Sequence, residues 1–113
     1  MAQLIYKILS ETDWHAAERV GLFAGAGIDV QDGYIHFSTA EQAQETAAKH
    51  FAGQSGLVLV AVDAEKLGAG IKWEVSRGGA LFPHLYGTLP TRSVLWVKPL
   101  PLGADGKHVF PRA

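Results

Sequence analysis

The unbroken apolar run at residues 57–62 constrains the fold more than any other part of the sequence. It is too short for a buried helix, and its length suits a strand that is covered on both faces. Four other segments have the β-branched and aromatic residues that are typical of strands, namely residues 4–9, 34–37, 71–75 and 93–98. Residues 81–86 are also apolar, but Pro83 lies within them and favours an edge strand or an extended loop.

The first predicted helix follows the first strand. Thr12 is a residue type that caps helices, and Gly21 is a residue type that ends them. Between these two positions, one apolar face is formed by Trp14, Ala17 and Val20. Residues 22–30 contain Gly25 and Gly27 and show no clear period, so we expect a loop there.

The second predicted helix spans residues 39–52, because Ala, Gln, Glu and Lys fill this segment and Gly53 can end it. Its predicted buried stripe consists of Ala40, Ala43, Ala47 and Phe51. Both helices lie in the first half of the chain, whereas the second half is mostly predicted strands. This order favours an α+β fold over a doubly wound sheet. We expect one domain, residues 1–113, with residues 100–113 as a peripheral tail.

Turn signals punctuate the second half of the chain. Residues 76–79 read Ser-Arg-Gly-Gly and predict a turn between two strands. An Asp-Gly pair at residues 105–106 predicts another turn, after which Val109 and Phe110 would form a weak hairpin partner.

Residues 32–39 carry the strongest indication of a functional site. An Asp-Gly pair opens this stretch with strong turn chemistry, and a short strand with His36 near its end follows. Ser38 and Thr39 can cap the next helix, and Ser38 and Glu41 have the spacing of a capping box. A histidine at the end of a strand and just before a helix N-terminus lies where α/β folds commonly bind ligands.

Three polar residues within or beside predicted strands could carry chemistry, namely His36, Glu74 and His84. An imidazole titrates near neutral pH, and a carboxylate can orient a ribose hydroxyl or stabilise a positive charge. Structural alternatives stay open for each of them: a strand-end histidine bonded to backbone, an outward-facing glutamate and a histidine in a rigid turn. Two histidines and one carboxylate could also form a facial metal triad, although no His-Glu-x-x-His spacing supports it.

Composition and the lack of motifs exclude several classes of function. The formal net charge of −1 leaves no basic excess for general nucleic-acid binding. Because the chain has no cysteine, disulfide and thiolate chemistry are excluded. No dinucleotide-binding glycine fingerprint, P-loop or Gly-x-Ser-x-Gly motif occurs. Strand-like residues follow residues 1–3 at once, so we expect no signal peptide. No apolar run approaches the ~18 residues that span a bilayer, and we therefore expect a cytoplasmic protein.

Several motifs together resemble a small bacterial family catalogued as domain of unknown function 952. They are an Ile-Tyr-Lys-Ile strand at residues 5–8, Trp14, Gly21, the segment at residues 32–38, Lys-Trp-Glu at residues 72–74 and Phe-Pro-His-Leu-Tyr-Gly at residues 82–87. The resemblance covers the chain to about Pro99. That family is grouped by fold with ADP-ribosyltransferase-like proteins, which grip NAD in a cleft between two small, split antiparallel sheets. The resemblance therefore implies a split antiparallel sheet and NAD as the ligand.

A more distant resemblance is to the catalytic lobe of RNA 2′-phosphotransferases. It rests on the tryptophan helix, a Gly-Leu step, an Ile-His-Phe strand, an apolar strand that ends at Asp63 and a Ser-x-x-Gly turn. The chain departs from the relatives in two places. Lys7 stands where they commonly carry a histidine or arginine that contacts the ribose, and Val75 stands where the phosphotransferases have an arginine. The second departure argues against RNA 2′-phosphate transfer.

The resemblance implies an enzyme that cleaves or transfers the ADP-ribosyl group of NAD or a related nucleotide. Glu74 would stabilise the developing cation and His36 would bind ribose or phosphate. The other implied binding residues are Lys7, Ser38, Thr39, His84 and Tyr86. Two alternatives stay open, a non-catalytic module that binds a nucleotide-like ligand and a metal-dependent hydrolase. We expect a small-molecule nucleotide as the partner, and neither general nucleic-acid binding nor a membrane.

Overall fold

A computed structural model describes residues 3–76 and 79–111. Within them the chain forms three antiparallel sheets and four α-helices. The strands are β1 (Leu4–Ser10), β2 (Leu22–Phe23), β3 (Ile35–His36), β4 (Leu57–Asp63), β5 (Ile71–Val75), β6 (Leu81–Leu85), β7 (Leu89–Pro90) and β8 (Trp96–Pro99). The helices are α1 (Glu11–Val20), α2 (Ile28–Asp32), α3 (Ala40–His50) and α4 (Ala64–Leu67). The predicted α+β class is confirmed. None of the described helices is long and apolar enough to cross a membrane.

The first sheet has the order β1-β4-β8, with the apolar run at its centre. All seven residues of β4 are buried. One face of the sheet packs against α3 through Ala43 and Ala47, and the other face packs against α1 through Trp14. The strand predicted for residues 57–62, buried on both faces, is therefore confirmed.

The second large sheet has the order β3-β6-β5, so residues 81–86 provide a central strand and the prediction of an edge strand or loop is wrong. The carbonyl of Pro83 accepts a hydrogen bond from the Phe37 N–H at 2.9 Å. The side of Pro83 that lacks an N–H therefore faces the end of β3, which is only two residues long. Because no donor is missing toward β5, the ladder between β5 and β6 stays intact.

The prediction of a loop over residues 22–30 is wrong in part. Residues 22–23 form β2, which pairs with β7, and α2 begins at Ile28. The Asp29 carboxylate accepts a hydrogen bond from the Ala26 N–H at 3.0 Å and closes the turn that leads into α2. A helix of five residues is too short to show a hydrophobic period, so the sequence pattern does not reveal it.

Both main helices are present, but their caps differ from the predicted ones. The Ser10 hydroxyl caps α1 in place of Thr12, because it accepts the Asp13 N–H at 3.0 Å. The capping box of α3 joins Thr39 and Gln42 in place of Ser38 and Glu41. Ser38 is unavailable for the cap because its backbone pairs with β1. At the other end, α3 stops at His50, two residues before the predicted end, and the predicted stripe residue Ala40 is exposed.

Smaller differences occur in the last third of the chain. The strand predicted for residues 93–98 begins only at Trp96, because Ser93 closes a 3₁₀ turn through a 2.6 Å hydrogen bond from its hydroxyl to the Pro90 carbonyl. The turn predicted for residues 76–79 includes two residues outside the described part of the chain. In the tail, Leu102 pairs with His108, so the hairpin partner is His108, one residue before the predicted Val109 and Phe110.

Candidate functional site

The register of the β3-β6-β5 sheet places two histidines side by side. His36 on β3 is the cross-strand partner of His84 on β6, and the centroids of their rings are 5.2 Å apart. The ring of Tyr34 stacks on His84 at a centroid distance of 4.3 Å and an interplanar angle of 15°, and lies 4.7 Å from His36. The sheet therefore brings both predicted histidines together under one aromatic ring.

Glu74 holds His84 on one side and Tyr86 on the other. Glu74 Oε1 lies 2.9 Å from His84 Nδ1 and accepts a 2.7 Å hydrogen bond from the Tyr86 hydroxyl. The hydrogen bonds from Tyr86 and His84 lower the pKa of the Glu74 carboxyl. The same carboxylate stabilises the phenol proton and raises the pKa of Tyr86 to about 12. At neutral pH, Glu74 is therefore a carboxylate and Tyr86 keeps its proton.

Asp29 is the buried centre of a second polar cluster, and it pairs with Lys7. Lys7 Nζ lies 2.7 Å from Asp29 Oδ2, and the two side chains are 10% and 0% exposed. Lys7 extends from the middle of β1, on the side of the sheet that carries Ile5 and Leu9. An isolated ammonium at such a depth would be very costly, so Asp29 supplies the counter-charge that lets β1 accommodate a lysine.

Both ring nitrogens of His36 face carboxylates. Nδ1 lies 2.6 Å from Asp29 Oδ1, and Nε2 lies 3.0 Å from Asp32 Oδ2. The Asp29 carboxylate also accepts the His36 backbone N–H at 3.0 Å. A carboxylate only accepts, so the imidazolium form alone can donate from both ring nitrogens at once. His36 thereby fastens both ends of α2 to β3.

The pKa values of the buried pair move in the same direction for different reasons. For Asp29, burial favours the neutral acid, but the hydrogen bond from His36 and the charge and hydrogen bond of Lys7 outweigh it and lower the pKa to about 2. For Lys7, burial lowers the pKa below its ordinary value, and the attraction of Asp29 offsets only part of that effect.

The lowered pKa of Asp29 predicts a loss of stability in acid. Between pH 4 and pH 2 the unfolded chain takes up the Asp29 proton and the folded chain does not, so falling pH favours unfolding. The contribution is fully present above pH 4 and amounts to about 2 kcal/mol. Urea unfolding of wild type and Asp29→Asn at pH 6 and at pH 2 measures this contribution. The difference between their free energies of unfolding should be about 2 kcal/mol smaller at pH 2. An equal difference at both pH values would contradict the lowered pKa of Asp29.

A cleft of about 600 Å³ opens beside these clusters, within the size range of small-molecule sites. Residues of both three-stranded sheets, of α3 and of the segment before α2 line it. Its polar walls include Lys7, Asp32, Tyr34, His36, Ser38 and His84. Both predicted histidines thus border a cavity that is large enough for a ligand.

The other predicted site residues fall into two groups. Ser38 lines the cleft, and its hydroxyl lies 3.2 Å from the hydroxyl of Thr46 on α3. Glu74 and Tyr86 lie next to the cleft, behind His84, and are in contact with the site but outside the cleft lining. Thr39 is also outside the lining, because its hydroxyl accepts the Gln42 N–H in the helix cap.

Three residues of the site were not singled out from the sequence, namely Asp29, Asp32 as a histidine partner and Tyr34 as a ring cover. One signal pointed to Asp29. A lysine in the middle of an apolar strand requires a nearby carboxylate, and Lys7 is such a lysine. The sequence does not say which acidic residue provides the carboxylate.

The geometry does not support the alternative of a metal triad. Among residues 3–76 and 79–111, no group of three or more His, Asp or Glu side chains is arranged to hold a metal ion. Both ring nitrogens of His36 contact carboxylates, and Nδ1 of His84 contacts Glu74. His36 would have to lose a carboxylate contact before it could bind a metal ion.

Comparison with known proteins identifies a family and solved structures of a similar protein. The family profile described as "Protein of unknown function (DUF952)" matches residues 8–97. The crystal structure of protein CC0527 from Caulobacter crescentus is similar to this chain, with 57% identity, a TM-score of 0.90, and coverage of 94% of this chain and 93% of that chain. The solution NMR structure of CC0527 shows 58% identity, a TM-score of 0.84 and coverage of 92% and 90%. No curated protein matches the chain.

Proposed function

The chain belongs to the DUF952 family of proteins of unknown function, and from this premise we propose that its cleft binds NAD or a related nucleotide and that the protein cleaves or transfers the ADP-ribosyl group. The proposal includes an ADP-ribosyltransferase-like fold, in which the two three-stranded antiparallel sheets are the split sheet around the ligand. The observation that carries it is the pairing of His84 with the Glu74 carboxylate, beneath Tyr34, at a cleft lined by both sheets.

Glu74 has the chemistry that departure of nicotinamide requires. Loss of the nicotinamide leaves positive charge on the ribose, and a fixed carboxylate stabilises that charge. The hydrogen bonds from Tyr86 and His84 keep Glu74 ionised and hold it in place. Its side chain is 39% exposed, so a ligand at the edge of the cleft can reach it. His36 acts in this proposal by holding α2 and Tyr34 in position.

The charges of the cleft favour recognition of the nucleoside parts of the ligand over its diphosphate. Among the described lining residues, Lys7 is the only lysine or arginine, and Asp29 neutralises it. The lining carboxylate Asp13 adds negative charge, whereas Asp32 is held by His36 Nε2 at 3.0 Å. The diphosphate would therefore remain near the solvent at the mouth of the cleft, while base and ribose contact its aromatic and hydroxyl groups.

A non-catalytic module that binds a nucleotide-like ligand is the second candidate. The commitment of Lys7 and His36 to Asp29 favours it, because neither side chain is then free to contact a phosphate. The two candidates predict the same binding and differ in turnover. Release of nicotinamide from bound NAD supports the enzyme, and stable NAD in the presence of saturated protein supports the module.

A thermal-shift titration with NAD, ADP-ribose and nicotinamide tests the binding. A ligand at a hundredfold excess over its Kd stabilises the folded state by about 2.7 kcal/mol, a shift of several degrees for a domain of this size. We expect this shift with NAD. No shift with any of the three compounds would contradict the proposed function.

A matched pair of variants on α2 locates the binding site. Ile28 lines the cleft and Val30 does not, and the two residues, on the same short helix, are 60% and 71% exposed. Ile28→Glu places a negative charge at the mouth, where the diphosphate would lie. We expect it to weaken NAD binding by about fivefold, equivalent to about 1 kcal/mol. Val30→Glu changes the net charge equally and should bind NAD like wild type; equal effects of both variants would place the ligand elsewhere.

A further inference from the structure

The two histidines of the site differ in how their ring nitrogens are used. His36 has a carboxylate at each nitrogen. His84 has one at Nδ1 alone, where Glu74 Oε1 lies at 2.9 Å. Because the carboxylate can only accept, His84 Nδ1 carries the proton and donates it. The Nε2 atom of the neutral ring is then an unprotonated acceptor.

His84 Nε2 is a buried atom for which the described residues offer no hydrogen-bond partner. The His84 side chain is 3% exposed, and the residue lines the cleft. Buried polar atoms in proteins are almost always hydrogen-bonded to protein or to ordered water, so a buried acceptor that has no protein partner, on a residue that lines a cleft, can accept a hydrogen bond from a bound molecule. Trp14 Nε1 is also buried and has no partner within residues 3–76 and 79–111, but Trp14 lies in the apolar core and not at the cleft.

We propose that His84 is the general base of the reaction and that its Nε2 binds the hydroxyl group that attacks the ribose. This role rests on the proposed function and assigns the nucleophile to a chemical class, an alcohol hydroxyl or water. His36 has no nitrogen available for such a role. Glu74 orients the ring through Nδ1 and stabilises the imidazolium that forms.

The step balances in atoms and charge. The bond between the nicotinamide nitrogen and the ribose C1′ breaks, and its electron pair leaves with neutral nicotinamide. The oxygen of the hydroxyl group forms a new bond to C1′. Its proton moves to His84 Nε2 and is later released to solvent, so NAD⁺ and R–OH give ADP-ribosyl–OR, nicotinamide and H⁺.

The stack of Tyr34 on His84 gives the ring a fixed plane. A ring that is held by Glu74 at one nitrogen and covered by Tyr34 on one face has little freedom to rotate. His36 contacts the same ring edge-on, with an interplanar angle of 69°. The site thus fixes the orientation of the imidazole before a ligand binds, which is what efficient general-base catalysis needs.

Long-range ¹H–¹⁵N NMR on protein labelled at histidine tests the tautomer and the contact together. We expect His84 to show a protonated Nδ1 and a bare Nε2, and the Nε2 resonance to move upfield when ADP-ribose, which presents a C1′ hydroxyl, is added. A proton on Nε2 in the free protein, or an Nε2 resonance that does not move when ADP-ribose binds, would overturn the role of His84. If neither ADP-ribose nor NAD binds, the proposed function itself is overturned.

Variants separate a catalytic role from a structural one. His84→Gln should lower the rate of nicotinamide release about 100-fold or more, the usual contribution of a general base, while NAD binding changes by no more than a few-fold. If His84→Gln fails to fold, Glu74→Gln replaces it, with the His84 tautomer as the readout: the long-range NMR spectrum should lose the fixed proton on Nδ1, and an unchanged tautomer would overturn the role of Glu74 in orienting the ring. His15→Gln makes the same substitution on an exposed face of α1 and is the control. Full turnover in His84→Gln, or bound NAD without turnover in wild type, would also overturn the role.

Discussion

Asp29→Asn is expected to lower the free energy of unfolding by about 3–5 kcal/mol, because it leaves the ammonium of Lys7 buried without a counter-charge. In the wild type, each carboxylate oxygen of Asp29 accepts at least two hydrogen bonds. In Asp29→Asn an NH₂ group replaces one of these oxygens and faces donors that it cannot accept from. The expected fall in Tm is roughly 10–20 °C for a domain of this size. Urea unfolding at neutral pH followed by circular dichroism gives the difference directly.

The exposed pair of Lys49 and Glu45 is the matched control for the buried pair. Its N–O distance is also 2.7 Å, but its side chains are 58% and 67% exposed. Glu45→Gln should therefore change the free energy of unfolding by no more than about 0.5 kcal/mol. A double variant, Lys7→Met with Asp29→Asn, removes both buried charges and should be more stable than the sum of the single effects predicts. Additive effects would show that Lys7 and Asp29 do not interact.

Gly25→Ala is expected to cost about 3 kcal/mol for two reasons that act together. The φ angle of Gly25 is +116°, which side-chain-bearing residues rarely adopt, and a Cβ atom there would lie 2.9 Å from the Cβ of Asp29. The clash pushes on the one residue that anchors Lys7, His36 and the turn before α2. The variant should therefore also weaken the ion pair, which the acid dependence of stability would report.

Gly33→Ala separates backbone strain from the clash. Gly33 has a φ of +84° at the end of α2, and a Cβ atom there would meet nothing within 4 Å. Only the left-handed backbone is disfavoured, so the cost should be about 1 kcal/mol. Equal losses in Gly25→Ala and Gly33→Ala, measured by the same urea unfolding, would mean that contact with Asp29 plays no part.

The elements that the sequence predicted well are those whose signal is local. The apolar run of β4 and the composition of α3 each contain enough residues to decide between strand and helix. The prediction at Pro83 was wrong because the effect of a proline depends on which side its missing N–H faces. A central position is acceptable here because that side faces the end of β3, which is only two residues long. The length of a neighbouring strand cannot be inferred from residues 81–86 alone.

The same distinction separates what was predictable in the site from what was not. His36, Glu74 and His84 stand out as polar residues in apolar strands, and the fold brings all three together. Which histidine keeps a ring nitrogen without a protein partner is decided by Asp29 and Asp32, whose positions depend on a five-residue helix. The pattern in the sequence therefore identifies the residues of the site, whereas their separate roles follow from contacts across strands.

Binding of NAD in the cleft is tested most directly by a ¹H–¹⁵N correlation spectrum recorded during a titration with NAD. We expect the largest shifts at backbone amides of the cleft, those of Ala26, Gly27, Ile28, Tyr34 and Phe37. The control region is a small second pocket whose lining includes Ala43, Leu59, Trp96 and Phe110, none of which lines the cleft; the amides of these four residues should stay unchanged. A spectrum that does not respond to NAD, or one in which these four amides respond and the cleft does not, would contradict NAD binding in the cleft.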